Sequence, residues 1–240
     1  TPYQPEIAQG TLQTLFEFQT QVARLFGVDV ANASMYDGST ACWEAIVMAR
    51  RITKRGKAVL SSGLHPHYVS VAKTMARFTK DDLSYQAPTL EAATDGQAML
   101  DQIDDETSCV VVQYPDILGR IGDLSAIAEK AHKHKALLIA VVTEPVALGA
   151  IKSPGEMDAD IVVGEGQSPA ARPGAPSRAR AAVAAVCKPS ALAFERPPNP
   201  RLIRLVGKRA GVTDLSITPS DSQTYSFEVH VVYDLDLLRA

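Results

Sequence analysis

The sequence predicts an α/β fold, a layered and mostly parallel sheet with helices packed on it. Three observations carry this. Residues 108–114 (Ser-Cys-Val-Val-Val-Gln-Tyr) and 136–142 (Ala-Leu-Leu-Ile-Ala-Val-Val) are near-continuous apolar runs, as strands covered on both faces should be. Shorter strand-like runs lie at 58–62 and 161–164, and segments of helical period stand between the strands. Strands alternating with helices give parallel pairing through crossover connections. At 240 residues the chain is long enough to bury a sizeable core, in one large domain or two small ones.

Taken in order, residues 1–6 form an irregular polar lead with two prolines, Pro2 and Pro5. Leu12, Leu15, Phe16, Val22, Ala23 and Phe26 then recur near helical spacing, and Gly27 closes that helix. Residues 28–35 read as a short extended segment. Tyr36-Asp37-Gly38-Ser39-Thr40 makes a turn that opens the helical run 41–49. Ser39 or Thr40 is expected to cap this helix. Glu44 lies five residues after Ser39 and four after Thr40, so there is no strict capping box. Arg50, Arg51, Lys54 and Arg55 follow, at the end where the helix dipole favours cations. After the strand at 58–62, residues 63–67 form a turn with Pro66 placed at the first helical position, and 68–78 is a helix. Ser84-Tyr85 is a further strand, and 90–103 is partly helical. A loop over 115–122 precedes Asp123, which starts the helix 124–134.

Up to Ser168 the local signals agree with one another; beyond it they stop agreeing. Residues 169–180 are rich in Ala, Pro and Arg, and Pro197-Pro198-Asn199-Pro200 breaks any element that forms. The sequence therefore divides into 1–168, one large domain, and 169–240, a divergent tail whose composition favours an exposed, poorly ordered segment. Within the tail, 183–186 is expected as a short helix. Residues 227–233 alternate like a strand with no identifiable pairing partner.

Composition excludes several function classes. Hydrophobic content of 46% and charged content of 21% fit a soluble globular protein. A net charge of −3 argues against nucleic acid as a partner. No apolar run is long enough to span a membrane, and no signal peptide opens the chain. Cys42, Cys109 and Cys187 are sparse, odd in number and without metal-ligand spacing, which suits a reducing, cytoplasmic setting. The first residue is Thr1 rather than Met, as in a processed chain or a fragment.

The chemistry-bearing candidates are few. No Gly-x-Gly-x-x-Gly turn follows a strand, and no Gly-x-x-x-x-Gly-Lys-Ser/Thr loop is present, so neither a dinucleotide site nor triphosphate hydrolysis has support. His132 and His134, two apart on a helix, point to different sides and are read as exposed polar residues near its C-terminus rather than as chelators. The Gly38-Ser39-Thr40 turn offers backbone N–H groups, two hydroxyls and the positive end of a helix dipole, which together make a seat for phosphate; the same spacing also serves an ordinary capped helix. His65 follows a strand in the next βα unit. It is placed either to lie flat on a planar cofactor ring in the crevice at the strand ends or as a turn histidine facing solvent. Glu144, at the end of the strand 136–142, is placed either to pair with a protonated ring nitrogen or as a loop carboxylate before Pro145.

A family resemblance is carried by Thr1-Pro2-Tyr3-Gln4-Pro5-Glu6-Ile7-Ala8-Gln9-Gly10, Phe16-Glu17-Phe18-Gln19-Thr20 and Asp29-Val30-Ala31-Asn32-Ala33-Ser34. Gln113-Tyr114-Pro115 with Gly119, Asp123-Leu124-Ser125-Ala126-Ile127-Ala128, Pro154-Gly155-Glu156 and Ala159-Asp160-Ile161-Val162-Val163-Gly164-Glu165-Gly166-Gln167-Ser168 extend it. In this order the segments resemble the P-protein of the glycine cleavage system, and within it the subunit 1 (α) branch of the two-chain bacterial glycine dehydrogenase (decarboxylating). The resemblance covers roughly residues 1–168. It implies a fold-type-I pyridoxal-phosphate-dependent transferase-like large domain, a mostly parallel sheet with helices on both faces, truncated here at its start.

The activity it implies is decarboxylation of glycine and transfer of the aminomethyl group to the lipoyl arm of the H-protein, with pyridoxal phosphate as electron sink. The partners it implies are a lysine-bearing subunit 2, the lipoyl H-protein and glycine, in a cytoplasmic heterotetramer. Cofactor-binding positions carry over to Ser39, Thr40, His65 and Glu144, and the lead 1–6 to the lining of the shared site. Three departures qualify this. Where a catalytic chain carries the Schiff-base lysine, the run is Gly164-Glu165-Gly166-Gln167-Ser168, so no catalytic residue is assigned and the chain is expected to be inactive alone, with the cofactor bound mainly through its partner. Thr143-Glu144 stands where an active member has aspartate, as in a degenerate pocket. The tail also leaves the family pattern after Ser168, as an altered reading frame or a divergent end would. The competing readings are another fold-type-I enzyme (an aminotransferase or amino-acid decarboxylase) and a non-catalytic scaffold fragment.

Overall fold

Alternation along the strands builds two cores, one on each face of a sheet. In the computed structural model, which describes residues 4, 6–88, 96–166, 182–186, 211–217 and 225–231, β4 (Thr107–Gln113) and β5 (Leu137–Val142) are buried along their whole length. Val110, Val112, Leu138, Ala140 and Val142 enter one core with Val22 and Phe26 of α1 (Gln9–Phe26) and Ala128 and Ala131 of α5 (Ser125–Lys133). Cys109, Val111, Leu137, Ile139 and Val141 enter the other with Ala41, Trp43 and Ile46 of α2 (Gly38–Thr53) and Val69 and Ala72 of α3 (Pro66–Thr79). The period of two sends neighbouring residues to opposite faces, so an unbroken apolar run is what a two-faced strand requires.

The remaining strands of this sheet are β1 (Val30–Ala31), β2 (Lys57–Leu60), β3 (Asp82–Tyr85), β6 (Ile161–Glu165) and β7 (Ala182–Val186). Their order is β1-β7-β6-β5-β4-β2-β3. The five strands from β6 across to β3 run parallel, with Val110 opposite Leu138 and Ala140 opposite Val162. β7 is antiparallel to both β6 and β1. The mostly parallel sheet with helices on both faces is the architecture the sequence predicts.

The segment 90–103 is partly helical as expected, with α4 at Gly96–Leu100. Two local expectations change. Only Val30–Ala31 of the extended segment 28–35 is strand. Residues 183–186 are strand rather than helix, because the free edge of β6 supplies backbone partners that a helix of four residues cannot supply for itself. The sheet therefore draws on chain beyond residue 168.

The chain divides into two units, residues 1–193 and 194–240. In the second, β8 (Gly211–Ile217) and β9 (Tyr225–Val231) form an antiparallel pair with Gly211 opposite Val231, which supplies the partner that the alternating run at 227–233 lacks in the sequence. The expectations for residues 1–3, for helix at 90–95, and for the tail at 169–181, 187–210 and the proline cluster lie outside the described residues.

Candidate functional site

In an open parallel sheet the loops at the carboxyl ends of adjacent strands face one crevice. Here β2, β4, β5 and β6 are neighbours; His65, the 115–122 segment and Thr143-Glu144 lie in the loops after the first three, and Glu165 is the last residue of β6. The N-terminus of α2 meets the end of β6 there: the Gly38 backbone N–H donates to Glu165 Oε1 at 3.0 Å.

The cap of α2 is neither hydroxyl the sequence nominates. The helix begins at Gly38, so Asp37 is its N-cap, and its Oδ1 accepts the Thr40 backbone N–H at 2.8 Å. Ser39 and Thr40 lie inside the first turn, and both hydroxyls donate to the same carboxylate, Thr40 Oγ1 to Asp37 Oδ2 at 2.7 Å and Ser39 Oγ to Oδ1. The Ser39 hydroxyl above all, with the Thr40 N–H and hydroxyl behind it, holds the Asp37 carboxyl below its ordinary range. A second carboxylate closes the same end. Glu165 Oε1 takes the Gly38 N–H and also the Tyr68 hydroxyl, which donates at 2.8 Å from the first turn of α3. Burial first, then the bond to Glu165, drives the Tyr68 hydroxyl far above the ordinary tyrosine value. The fit is close: a Cβ placed on Gly38 would lie 2.0 Å from the Tyr68 hydroxyl and 2.2 Å from Glu165 Oε1.

His65 caps α3, with Pro66 at the first helical position as the sequence predicts. Its Nδ1 accepts the His67 N–H at 3.2 Å, and its ring centroid lies 5.7 Å from that of Tyr68. The His65 backbone N–H donates to Gln113 Oε1 at 2.8 Å. Gln113, buried at the end of β4, spends its amide Nε2 on the Pro115 carbonyl and the Thr143 hydroxyl, each at 3.2 Å. One side chain thus ties the loops after β2, β4 and β5 together. Tyr114-Pro115 is a cis peptide. Glu144 is exposed at the start of the 3-10 turn Pro145–Gly149 and makes no cap hydrogen bond.

The fold thus strings Ser39 and Thr40 to His65 through Asp37, Gly38, Glu165 and Tyr68, and places Glu144 one residue from Thr143 at the far side of Gln113. Sequence reasoning missed the connecting residues Asp37, Tyr68, Gln113 and Glu165. Asp37 carried a local signal, since aspartate immediately before Gly38 is a preferred cap. Tyr68 and Glu165 carried none, because their contact spans 97 residues.

The arrangement does not fit a phosphate dianion at α2. The N–H groups and hydroxyls that would hold it face carboxylates of the chain itself, and a further anion there would meet two like charges. Two of the described lysines are engaged away from the crevice: Lys57 Nζ binds Asp104 and the Gln102 carbonyl, and Lys73 lies over the Tyr85 ring. Among the described residues no group of His, Cys, Asp and Glu could hold a metal ion. His132 and His134 pair separately, with Asp160 at 2.7 Å and Asp105 at 2.8 Å, two carboxylate partners the sequence did not reveal. An open depression of about 560 Å³ beside α3 and the amino end of β3, lined by Lys73, Arg77, Lys80 and Asp81, contains none of the site residues. No described helix is long and apolar enough to cross a membrane.

The sheet order and the crevice define a fold-type-I, pyridoxal-phosphate-transferase-like architecture. A cystathionine gamma-lyase from Lactobacillus plantarum complexed with L-serine shares it, with a TM-score of 0.53 at 20% identity over 72% of this chain and 42% of that one. A glycine decarboxylase (P-protein) of the glycine cleavage system, in inhibitor-bound form, superposes with a TM-score of 0.67 at 33% identity over 95% of this chain and 47% of that one. The family model of the glycine cleavage system P-protein matches residues 1–185, and the chain belongs to that family. Proteins named probable glycine dehydrogenase (decarboxylating) subunit 1 from Sphingopyxis alaskensis and Novosphingobium aromaticivorans are each 76% identical over 168 residues, 70% of this chain. The chain spans 37% of the length of those relatives.

Proposed function

We propose that the chain serves as the subunit 1 component of a P-protein, which decarboxylates glycine and passes the aminomethyl group to the lipoyl group of the H-protein. It does so only with a partner chain, subunit 2, that carries the Schiff-base lysine and holds the pyridoxal phosphate. The observation that carries this reading is Glu165. At the end of β6, where an autonomous enzyme of this fold needs an amine, the chain presents a carboxylate already engaged with Gly38 and Tyr68. The subunit 1 name of the relatives supports a second subunit.

In this reading Ser39, Thr40, His65 and Glu144 are vestigial cofactor positions, and the chain's contribution is shape. Gln113 fixes the loops after β2, β4 and β5 relative to one another. The large domain is built on residues 1–168 with β7 from beyond that boundary added to its sheet, the rest of 169–240 is a divergent tail, and the setting is cytoplasmic, in keeping with the buried free thiols Cys42 and Cys109. An independent aminotransferase or decarboxylase is disfavoured by the same carboxylate.

The test is exchange of labelled bicarbonate into glycine by the chain, by a lysine-bearing subunit 2, and by their mixture with lipoylated H-protein. Activity restricted to the mixture is expected. Exchange, or an aldimine absorbance, from this chain alone would refute the assignment. A mixture that forms a complex without exchange selects the non-catalytic scaffold, the second reading, which the engaged carboxylate also favours.

A further inference from the structure

The turn at Gly38 disagrees with the phosphate seat its sequence suggests, and the disagreement is itself informative. Glu165 is no local cap: it reaches the N-terminus of α2 across 127 residues, from the end of another element. A single oxygen, Oε1, collects two donors, the Gly38 N–H and the Tyr68 hydroxyl. These are a backbone N–H at a helix start and a side-chain hydroxyl, the donor types that hold a phosphate oxygen at such a terminus. Asp37 collects the rest, namely the Thr40 N–H and the hydroxyls of Ser39 and Thr40. The 2.0 Å and 2.2 Å separations at a Cβ built on Gly38 leave no space for a tetrahedral anion beside that glycine.

We infer that Glu165 is an internal stand-in for a bound phosphate: the chain fills its own anion seat, and phosphate-bearing ligands are kept out of this crevice for as long as that carboxylate is present. Among the described residues, the titratable groups around it are Tyr68 from α3, which bonds it, Asp37 and Cys42 from the N-terminal part of α2, which with Glu165 act on the Tyr68 hydroxyl, and His65 beside Tyr68. This rests on the shared fold and on the reading of the turn as a former cofactor position, but not on the glycine reaction. It is tested on this chain alone, so its failure is separate from that of the subunit assignment.

The full 240-residue chain and its E165A, E165Q and D37A/E165A variants are titrated with inorganic phosphate by calorimetry and with pyridoxal phosphate by equilibrium dialysis. Circular dichroism establishes which variants are folded. The wild type is expected to take up neither probe at millimolar concentration. E165A, which frees both donors and removes one charge, is expected to bind phosphate at least about tenfold more tightly, and D37A/E165A more tightly again. E165Q keeps an acceptor for Gly38 and Tyr68 while losing the charge. It is expected to fall between wild type and E165A, and it supplies the comparison if the alanine variants do not fold. Phosphate uptake by the wild type as tight as by its variants would overturn the inference. So would folded variants, E165Q included, that gain no affinity for either probe.

Discussion

Replacing Gln113 by leucine keeps most of the side-chain volume and removes the three hydrogen bonds its amide makes to the crevice loops, leaving the Ile117 N–H to Gly63 carbonyl bond at 2.9 Å between the loops after β2 and β4. The group is only 6% exposed, so water has little access to replace it. The bond lost at His65 N is the short one, 2.8 Å, and the two at Pro115 O and Thr143 Oγ1 are 3.2 Å. Counting about 1.5 kcal/mol for the first and about 0.5 kcal/mol for each of the others gives a loss of about 2.5 kcal/mol. The greater apolar character of leucine returns about 1 kcal/mol. A net destabilisation of about 1–2 kcal/mol is expected, read as a lower urea midpoint at unchanged m-value. Hydrogen exchange at the His65 amide is expected to accelerate by a larger factor than exchange at amides in the middle of β4, because the change is local. A midpoint shift equivalent to less than about 0.5 kcal/mol, with His65 exchange unaltered, would mean that the loops are held by something other than this amide.

Two further outcomes follow from the same geometry. Gly155→Ala would place a Cβ 2.0 Å from the Gly27 carbonyl oxygen and 2.4 Å from its carbon, backbone atoms that cannot swing away, and is expected to cost about 3 kcal/mol in thermal or urea unfolding; unchanged stability would show that the turn at Pro154–Met157 moves freely off the end of α1. Asp37→Ala removes the α2 cap and is expected to cost about 1 kcal/mol at neutral pH. Since the Ser39 hydroxyl and its companions hold the folded carboxyl below its unfolded value of 3.8, the stabilisation is complete above that value and fades as the pH falls through the lower folded value. The gap between wild type and variant should therefore close only in that acid window, and a gap that closed between pH 5 and 7 would exclude Asp37 as its source.

Much of the scaffold was written in local pattern. The two-faced strands β4 and β5, Pro66 at the start of α3 and the closure of α1 by Gly27 are all decided within a few residues. An unbroken apolar run can be buried only between two layers, and Gly27 adopts φ 71°, a left-handed conformation that glycine enters at little cost. The segments that place the chain in the P-protein family are likewise continuous in sequence.

Tertiary structure decided what lies at the start of α2. Read alone, Gly38-Ser39-Thr40 offers donors to an anion, and nothing near it says that the anion is part of the chain. The strand order brings Glu165 to Gly38 and Tyr68 across separations of 127 and 97 residues. The same order makes β7 a strand, because an open sheet edge supplies hydrogen-bond partners that four to five residues cannot find among themselves. Sequence thus determined which groups could donate and which stretches could be strands. Packing determined which acceptor reached those donors first, since that depends on distances in space that no local pattern encodes.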